Sequence, residues 1–229
     1  VEAAADRILA ETGIEFRDDP PLLDMWRKAG AKVDGLLVKF EPGMLREILA
    51  TAPAEFTQHA RNPANSVRIG GKNVVFAPAY GSPFVMDLDR GRRFGTIEDF
   101  RNFIMMAQSS PNFHHSGGTI CEPTDVPVNK RHLDMVMAHI ELSDRPFMGS
   151  VTAEERSEDS IEMCRILFGH DFVDQNCVIL GNVNVNSPLV WDGTMTNSLR
   201  AYARANQAAV VVPFILGGAM GPVTNAGGI

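Results

Sequence analysis

The spacing of hydrophobic residues divides the chain into an irregular first part and a regular second part. Within residues 1–52, apolar positions recur at helical spacing in three short segments, each bounded by proline or glycine. Short apolar stretches follow, such as 67–69 and 74–76, and glycine and proline pairs separate them, which predicts small antiparallel strands. Residues 1–94 are therefore expected to form a module of helices and small sheets.

From residue 95 onward, helical and strand-like segments alternate. The strand-like segments are apolar on both faces, and they cover 113–117, 146–151, 177–185 and 210–216. Thr96 and Asp99 are spaced as in a capping box and should open the first of the helices between them. This alternation is typical of parallel strands covered by helices, so residues 95–229 predict four βα units.

A doubly wound sheet and a TIM (β/α)8-type barrel both satisfy this alternation. No GxGxxG motif follows any expected strand, which removes the main sequence support for a dinucleotide-binding doubly wound sheet. Polar residues collect just after the strand ends, where barrel enzymes place their sites. We therefore expect an α/β fold in which about half of a TIM barrel follows the N-terminal module, since eight units need about 250 residues.

Composition narrows the range of partners. The chain has 21 Lys and Arg against 28 Asp and Glu, a formal net charge of −7, which disfavours binding to nucleic acid or to anionic membrane surfaces. No apolar run approaches the roughly 20 residues of a membrane helix. The three cysteines are far apart and predict neither a disulfide framework nor a zinc site. A cytoplasmic protein with small-molecule or protein partners is expected.

Six side chains, four of them in or after expected strands and two flanking the glycine loop before the first helix of the second part, are candidates for substrate binding: His114, His115, Asn184, Asn186, Tyr80 and Phe84. Neighbouring residues on a strand point to opposite faces, so at most one of the two histidines faces a site. The asparagines alternate with valine and would share one face with Asn182, where amides can orient a substrate carboxylate. The two aromatic rings are candidates for a wall around a cation, and packing is the alternative role for all six.

Negative charge near such a cation could come from Glu122 and Asp125, although loop carboxylates are more often solvated. Asp192 is expected to cap the following helix. The pattern identifies no catalytic residue and no metal ligand.

Four segments carry motifs whose order and spacing resemble one known family. They are residues 5–16 (ADRILAETGIEF), 81–99 (GSPFVMD, then the arginine pair 92–93 and TIED), 186–192 (NSPL with Asp192) and 213–224 (PF leading to GPVT). The family is that of trimethylamine methyltransferases, which are corrinoid-dependent and include members that lack pyrrolysine and act on betaines. The resemblance implies an enzyme that transfers a methyl group from a methylated amine or betaine to the cobalt of a corrinoid on a separate protein, with no cofactor bound directly.

The resemblance also implies a longer protein, because chains of that family are about twice this length. The chain starts at Val1 and ends in a loop-like segment, so we expect a truncated chain that is inactive by itself and whose residues 95–229 are the first half of the barrel. An unpaired barrel edge favours self-association, so a homo-oligomer is expected.

Two other interpretations stay open. One is a metal-dependent barrel hydrolase that uses His114 or His115 with the loop carboxylates, although the sequence contains no HxH or HExxH motif. The other is a non-catalytic truncated barrel whose only behaviour is self-association through its open edge.

Overall fold

The computed structural model of the chain describes residues 1–186, 189–213, 215, 219, 221, 223 and 224. The fold is mixed α/β and divides into two compact units. The first unit comprises residues 1–53, 183–197 and 211–229, and the second comprises 54–182 and 198–210. Among the described residues, no helix is both long enough and apolar enough to cross a membrane.

The described helices are α1 (Glu2–Glu11), α2 (Pro20–Ala29), α3 (Met44–Leu49), α4 (Ile97–Ser109), α5 (Arg131–Leu142), α6 (Glu154–Phe168), α7 (His170–Gln175) and α8 (Gly193–Arg204). The described strands are β1 (Ile14–Phe16), β2 (Lys32–Asp34), β3 (Leu37–Lys39), β4 (Glu55–Gln58), β5 (Val67–Gly70), β6 (Phe84–Asp87), β7 (Gly91–Phe94), β8 (Phe147–Gly149), β9 (Ile179–Val185), β10 (Val190–Trp191) and β11 (Ala208–Pro213).

The first unit confirms the three short helices that were expected before residue 53. In α2, the Asp19 carboxylate accepts the Leu22 N–H (3.2 Å), and Gly30 ends the helix in the left-handed region at φ 97°. The pattern missed the short strands β1, β2 and β3, which together with β10 form a four-stranded sheet in the order β10-β1-β3-β2. Its core packs around Phe16, Val38 and Phe40.

The second unit contains most of a three-stranded sheet in the order β11-β9-β8, and β8 runs parallel to β9. The hairpins β4–β5 and β6–β7 are antiparallel. The expected capping box at α4 is confirmed, because Thr96 and Asp99 each bond the other's backbone N–H. Phe100 and Ile104 on this helix are fully buried, and Ile120 packs in the same cluster.

Two expected strands do not form. The segment 74–76 makes a single backbone pairing, between Phe76 and His114, instead of a ladder. The segment 113–117 runs beside β8, since the Ser116 N–H donates to the Pro146 carbonyl (2.9 Å) and the Met148 N–H donates to the Gly117 carbonyl (2.8 Å). Gly117 has φ 96°, a left-handed conformation that interrupts a regular strand.

The other expected segments of the second part are present with shifted limits. The strand expected at 210–216 runs over Ala208–Pro213, while residues 214 and 216 lie outside the described residues. Residues 187 and 188 of the NSPL motif also lie outside them. The short helix α7 was not expected. Within the described part of the chain, no sheet closes into a barrel.

Candidate functional site

A cleft of about 70 Å³ lies in the second unit where β8 and the segment 113–117 end. Its walls come from Gly118 and Thr119, from the inward face of α5, from Met148 to Ser150 and from the first turn of α6. One water molecule needs about 10–15 Å³, so the space accepts a small polar group together with water. Carboxyl ends of neighbouring parallel strands are where α/β enzymes commonly bind their ligands.

Hydrogen bonds to the Ser150 backbone hold the chain where β8 ends at the cleft. The Ser150 N–H donates to Ser160 Oγ (3.1 Å), and the Ser150 carbonyl accepts from Ser157 Oγ (3.0 Å) and Tyr202 Oη (2.9 Å). Tyr202 is fully buried, and a Cβ added at Gly149 would lie 2.4 Å from its Oη. The backbone that borders the cleft is therefore fixed from below by buried groups.

Arg131 forms one charged edge of the cleft, and its charge is neutralised. The guanidinium makes an ion pair with Glu122, and its Nε and Nη2 donate to the Val126 carbonyl at 3.2 and 2.9 Å. Glu122 therefore lies at the cleft, as its position after the first expected strand suggested. Its charge is already paired with that of Arg131.

Arg156 and His132 are two further polar groups on the walls. Arg156 donates from Nη1 to Thr152 Oγ1 (3.0 Å), and in the described part of the chain no carboxylate oxygen lies within 4 Å of its guanidinium. His132 is 7% exposed, its Nε2 lies 2.8 Å from Asp159 Oδ2, and its Nδ1 has no hydrogen-bond partner among the described residues. The cleft thus contains one cation without a counter-charge and one buried ring nitrogen without a partner.

His139 and His115 are buried beside the cleft and are neutral. His139 Nε2 donates to the Gly118 carbonyl (3.1 Å) and its Nδ1 accepts from Ser116 Oγ (3.0 Å), while His115 Nδ1 accepts the Gly117 N–H (3.0 Å). Burial lowers the pKa of His115 to about 3 and that of His139 to about 4. Neither ring is charged near neutral pH, so His115 acts in packing and hydrogen bonding in this arrangement.

Tyr80, another of the six candidate side chains, lies against the cleft through the lining residue Gly118. A Cβ added at Gly118 would lie 2.7 Å from Tyr80 Cε2, so the ring packs directly on this glycine. Burial raises the pKa of Tyr80, and the side chains of Thr119 and Asn182 offset part of this rise. Asn182, which is 7% exposed, is thus an amide of β9 that interacts with the Tyr80 hydroxyl.

The remaining candidates lie elsewhere. Asn184 is half-buried and Asn186 is exposed, and both belong to the first unit. The Asn186 amide donates to Asp192 Oδ2 (2.6 Å), while Asp192 Oδ1 accepts the Met195 N–H (3.0 Å) in the capping role expected for it.

His114 is exposed, accepts the Phe76 N–H on Nδ1 (3.0 Å) and stacks on that ring. Phe84 carries the Arg92 guanidinium 3.7 Å above its ring centroid, so a cation of this chain already occupies one of its faces. Asp125 accepts the Ile97 N–H (2.8 Å) at the start of α4.

Sequence reasoning missed Arg131, His132 and Arg156. The available signal was position, because the first turn of a helix that follows a parallel strand lies at the same edge as the strand's carboxyl end. Among the described residues, no three His, Cys, Asp or Glu side chains converge as a metal site.

Comparison with known proteins gives consistent matches. The sequence profile of the trimethylamine methyltransferase family matches residues 1–229. The glycine betaine methyltransferase of Desulfitobacterium hafniense (strain Y51) is 45% identical over 222 residues, which cover 96% of this chain and 46% of the relative. The proline betaine:corrinoid methyltransferase of Eubacterium limosum is 23% identical over 218 residues, or 90% and 44% of the two chains. The chain spans about half the length of the curated relatives it matches.

Proposed function

The chain belongs to the trimethylamine methyltransferase family, and from this premise we propose that it forms the first half of a barrel enzyme that transfers a methyl group from a betaine or related methylated amine to the cobalt of a corrinoid on a separate protein. The observation that carries the proposal is the 45% identity to a glycine betaine methyltransferase along 96% of this chain.

The order of the strands supports the barrel. The segment 113–117, β8, β9 and β11 lie side by side in the order in which they occur along the chain. A doubly wound sheet reverses its strand order at a switch point, whereas a barrel continues in one direction. On this proposal, residues 1–94 form the N-terminal module and residues 95–229 form the first four βα units.

Methyl transfer from a quaternary amine depends mainly on positioning. Reduced cobalt supplies the nucleophile, the C–N bond breaks, and its electron pair stays on nitrogen in a neutral tertiary amine. Tyr80, whose ring packs against Gly118 of the lining, provides an aromatic side chain for the ammonium group. Fixing the substrate in line with its acceptor is the largest contribution that such a site can make.

In this proposal the corrinoid that accepts the methyl group approaches the cleft from outside, carried by another protein. Thr152 at its edge is exposed and Ser150 is half-buried, so the cleft opens to solvent beside the end of β8. A methyl group held there is accessible from outside the chain. The corrinoid protein is therefore a transient partner in this proposal.

The experiment is a methyl-transfer assay with the corrinoid protein in its reduced state. Glycine betaine, proline betaine, trimethylamine and choline are supplied in turn, and the corrinoid spectrum and the mass of the demethylated amine are followed. We expect transfer from a betaine when the complete gene product is used and none with residues 1–229 alone, since half of the barrel is then lacking. The absence of transfer from all four amines would overturn the proposal.

Tyr80 provides the residue-level test. Tyr80→Phe keeps the ring and should change the KM little, whereas Tyr80→Leu removes the aromatic face. A cation–π contact contributes about 0.5–2 kcal/mol, so the leucine variant should raise the KM for the amine roughly 2- to 30-fold. Equal KM values for the two variants would show that the ring does not contact the ammonium group.

A further inference from the structure

We infer that the cleft binds the carboxylate of its substrate. Arg156, with a further contact from His132, then selects betaines over amines that lack a carboxylate. This inference rests on the proposed function, because it identifies one end of the substrate of the same site. It adds residues from α5 and α6 that neither the sequence pattern nor the comparisons assign.

Arg156 is the first support. Both arginines of the cleft are half-buried, but Arg131 is neutralised by Glu122, whereas Arg156 has no carboxylate oxygen within 4 Å in the described ranges. Its one hydrogen bond goes to Thr152 Oγ1, a neutral group. A guanidinium offers five N–H donors in a planar fork that matches a carboxylate, so most of its donors are available to a ligand.

His132 is the second and independent support. The side chain is more than nine-tenths buried, Asp159 fixes its Nε2, and its Nδ1 is a buried nitrogen without a partner among the described residues. Buried polar atoms nearly always have a hydrogen-bond partner. A ligand bound in the cleft, on which the ring borders, is a group that can supply that partner.

The rest of the lining favours a singly charged carboxylate over phosphate. Glu122 on the wall is paired with Arg131, and Asp159 outside the lining is bonded to His132, so Arg156 is left to balance the charge of a singly charged ligand better than that of a dianion. The hydroxyls of Ser150 and Thr152, 3.1 Å apart, add neutral donors at the mouth. The apolar atoms of Met135 and Met148 suit the methylene and methyl groups of a small organic acid.

Opposite ends of a betaine then meet complementary surfaces. Gly118 lines the cleft and packs against the Tyr80 ring, so an aromatic side chain lies one residue away from the space that Arg156 borders. A zwitterion with its carboxylate at Arg156 places its ammonium group toward Tyr80. Choline has the same ammonium group without the carboxylate and is the natural comparison ligand.

The experiment uses the purified complete gene product. Calorimetry gives its dissociation constants for glycine betaine, choline, acetate and inorganic phosphate. Arg156→Gln removes the charge, and Arg204→Gln is the matched control, since Arg204 is exposed and pairs with Glu154 outside the cleft. We expect Arg156→Gln to weaken glycine betaine and acetate roughly 10- to 100-fold and to leave choline unchanged. Arg204→Gln should change none of the four values.

His132→Gln provides the second variant, with its unfolding midpoint measured alongside, and it should weaken glycine betaine but not choline. Unchanged betaine affinity in a folded Arg156→Gln protein, or tighter binding of phosphate than of glycine betaine, would overturn the inference. If corrinoid methylation from a betaine proceeds with an unchanged KM in Arg156→Gln, the inference fails while the proposed function stands. If betaine binding depends on Arg156 but no methyl transfer occurs, the inference stands while the proposed function fails.

Discussion

Acidification from pH 7 to pH 5 should destabilise the second unit through its two buried histidines. Burial lowers the pKa of His115 to about 3 and that of His139 to about 4, against 6.5 for an exposed imidazole. The folded state therefore keeps both rings neutral, while the unfolded state binds protons as the pH falls below 6.5. Their contribution to stability is present above pH 6.5 and is lost as the pH falls toward 4.

The magnitude follows from linkage. Each pH unit below 6.5 costs about 1.4 kcal/mol per histidine until the folded-state pKa is reached. At pH 5 this amounts to about 2 kcal/mol for each ring, or about 4 kcal/mol for His115 and His139 together. Between pH 8 and pH 7 the same two groups change the free energy of unfolding by less than about 0.5 kcal/mol, which provides an internal control.

The assay is urea unfolding followed by far-ultraviolet circular dichroism at pH 8, 7 and 5 and constant ionic strength. His139→Gln removes one titrating ring and its packing against Phe100 and Phe147, so it lowers stability at every pH. The difference between pH 7 and pH 5 should nevertheless fall from about 4 to about 2 kcal/mol. A difference below about 1 kcal/mol in the wild-type protein, or an equal difference in the variant, would refute the reasoning.

Two further substitutions test packing and capping in the second unit. Gly181→Ala places a Cβ 2.6 Å from Tyr202 Cδ2, so it should lower the free energy of unfolding by about 1–3 kcal/mol, and Tyr202→Val should relieve part of that loss in the double variant. An unchanged urea midpoint for Gly181→Ala would contradict this packing. Asp99→Ala removes the reciprocal cap of α4 and the two oxygens that pair with Arg93, so it should cost about 1–2 kcal/mol, whereas Glu98→Ala on the same turn serves as the control. Equal midpoints for these two variants would show that the cap does not stabilise the helix.

Local signals predicted the helices well because their causes are local. Asp19 and Gly30 mark the ends of α2 through side-chain capping and a left-handed φ, both of which depend on a few neighbouring residues. The three-residue strands β1 to β3 were missed, since each is shorter than a pattern can identify and β1 is completed by β10, which lies more than 170 residues further along the chain. Pairing over such distances has no local trace in the sequence.

The candidate site was predictable in its location but not in most of its residues. The polar residues after the expected strands indicated the right edge of the sheet, and the flanking glycine loop indicated Tyr80. Arg156 was not found, because what distinguishes it from other arginines is the absence of a nearby carboxylate among the described residues, and only the folded chain shows that. His132 was not found for the same reason. Its burial, and the lack of a hydrogen-bond partner for its Nδ1 among the described residues, are visible only in the folded chain.

The chemistry of the proposed reaction explains why neutral histidines beside the cleft are compatible with function. When a quaternary ammonium group loses a methyl group, the bond pair stays on nitrogen, so the transfer step itself removes no proton and requires no general base, and the tertiary amine takes up a proton from water after its release. His139 and His115, held neutral by burial, can therefore serve entirely to support the strand ends at Gly117 and Gly118. In the proposal, recognition then falls to groups that take no part in bond making or breaking, which are the Arg156 guanidinium and the ring of Tyr80.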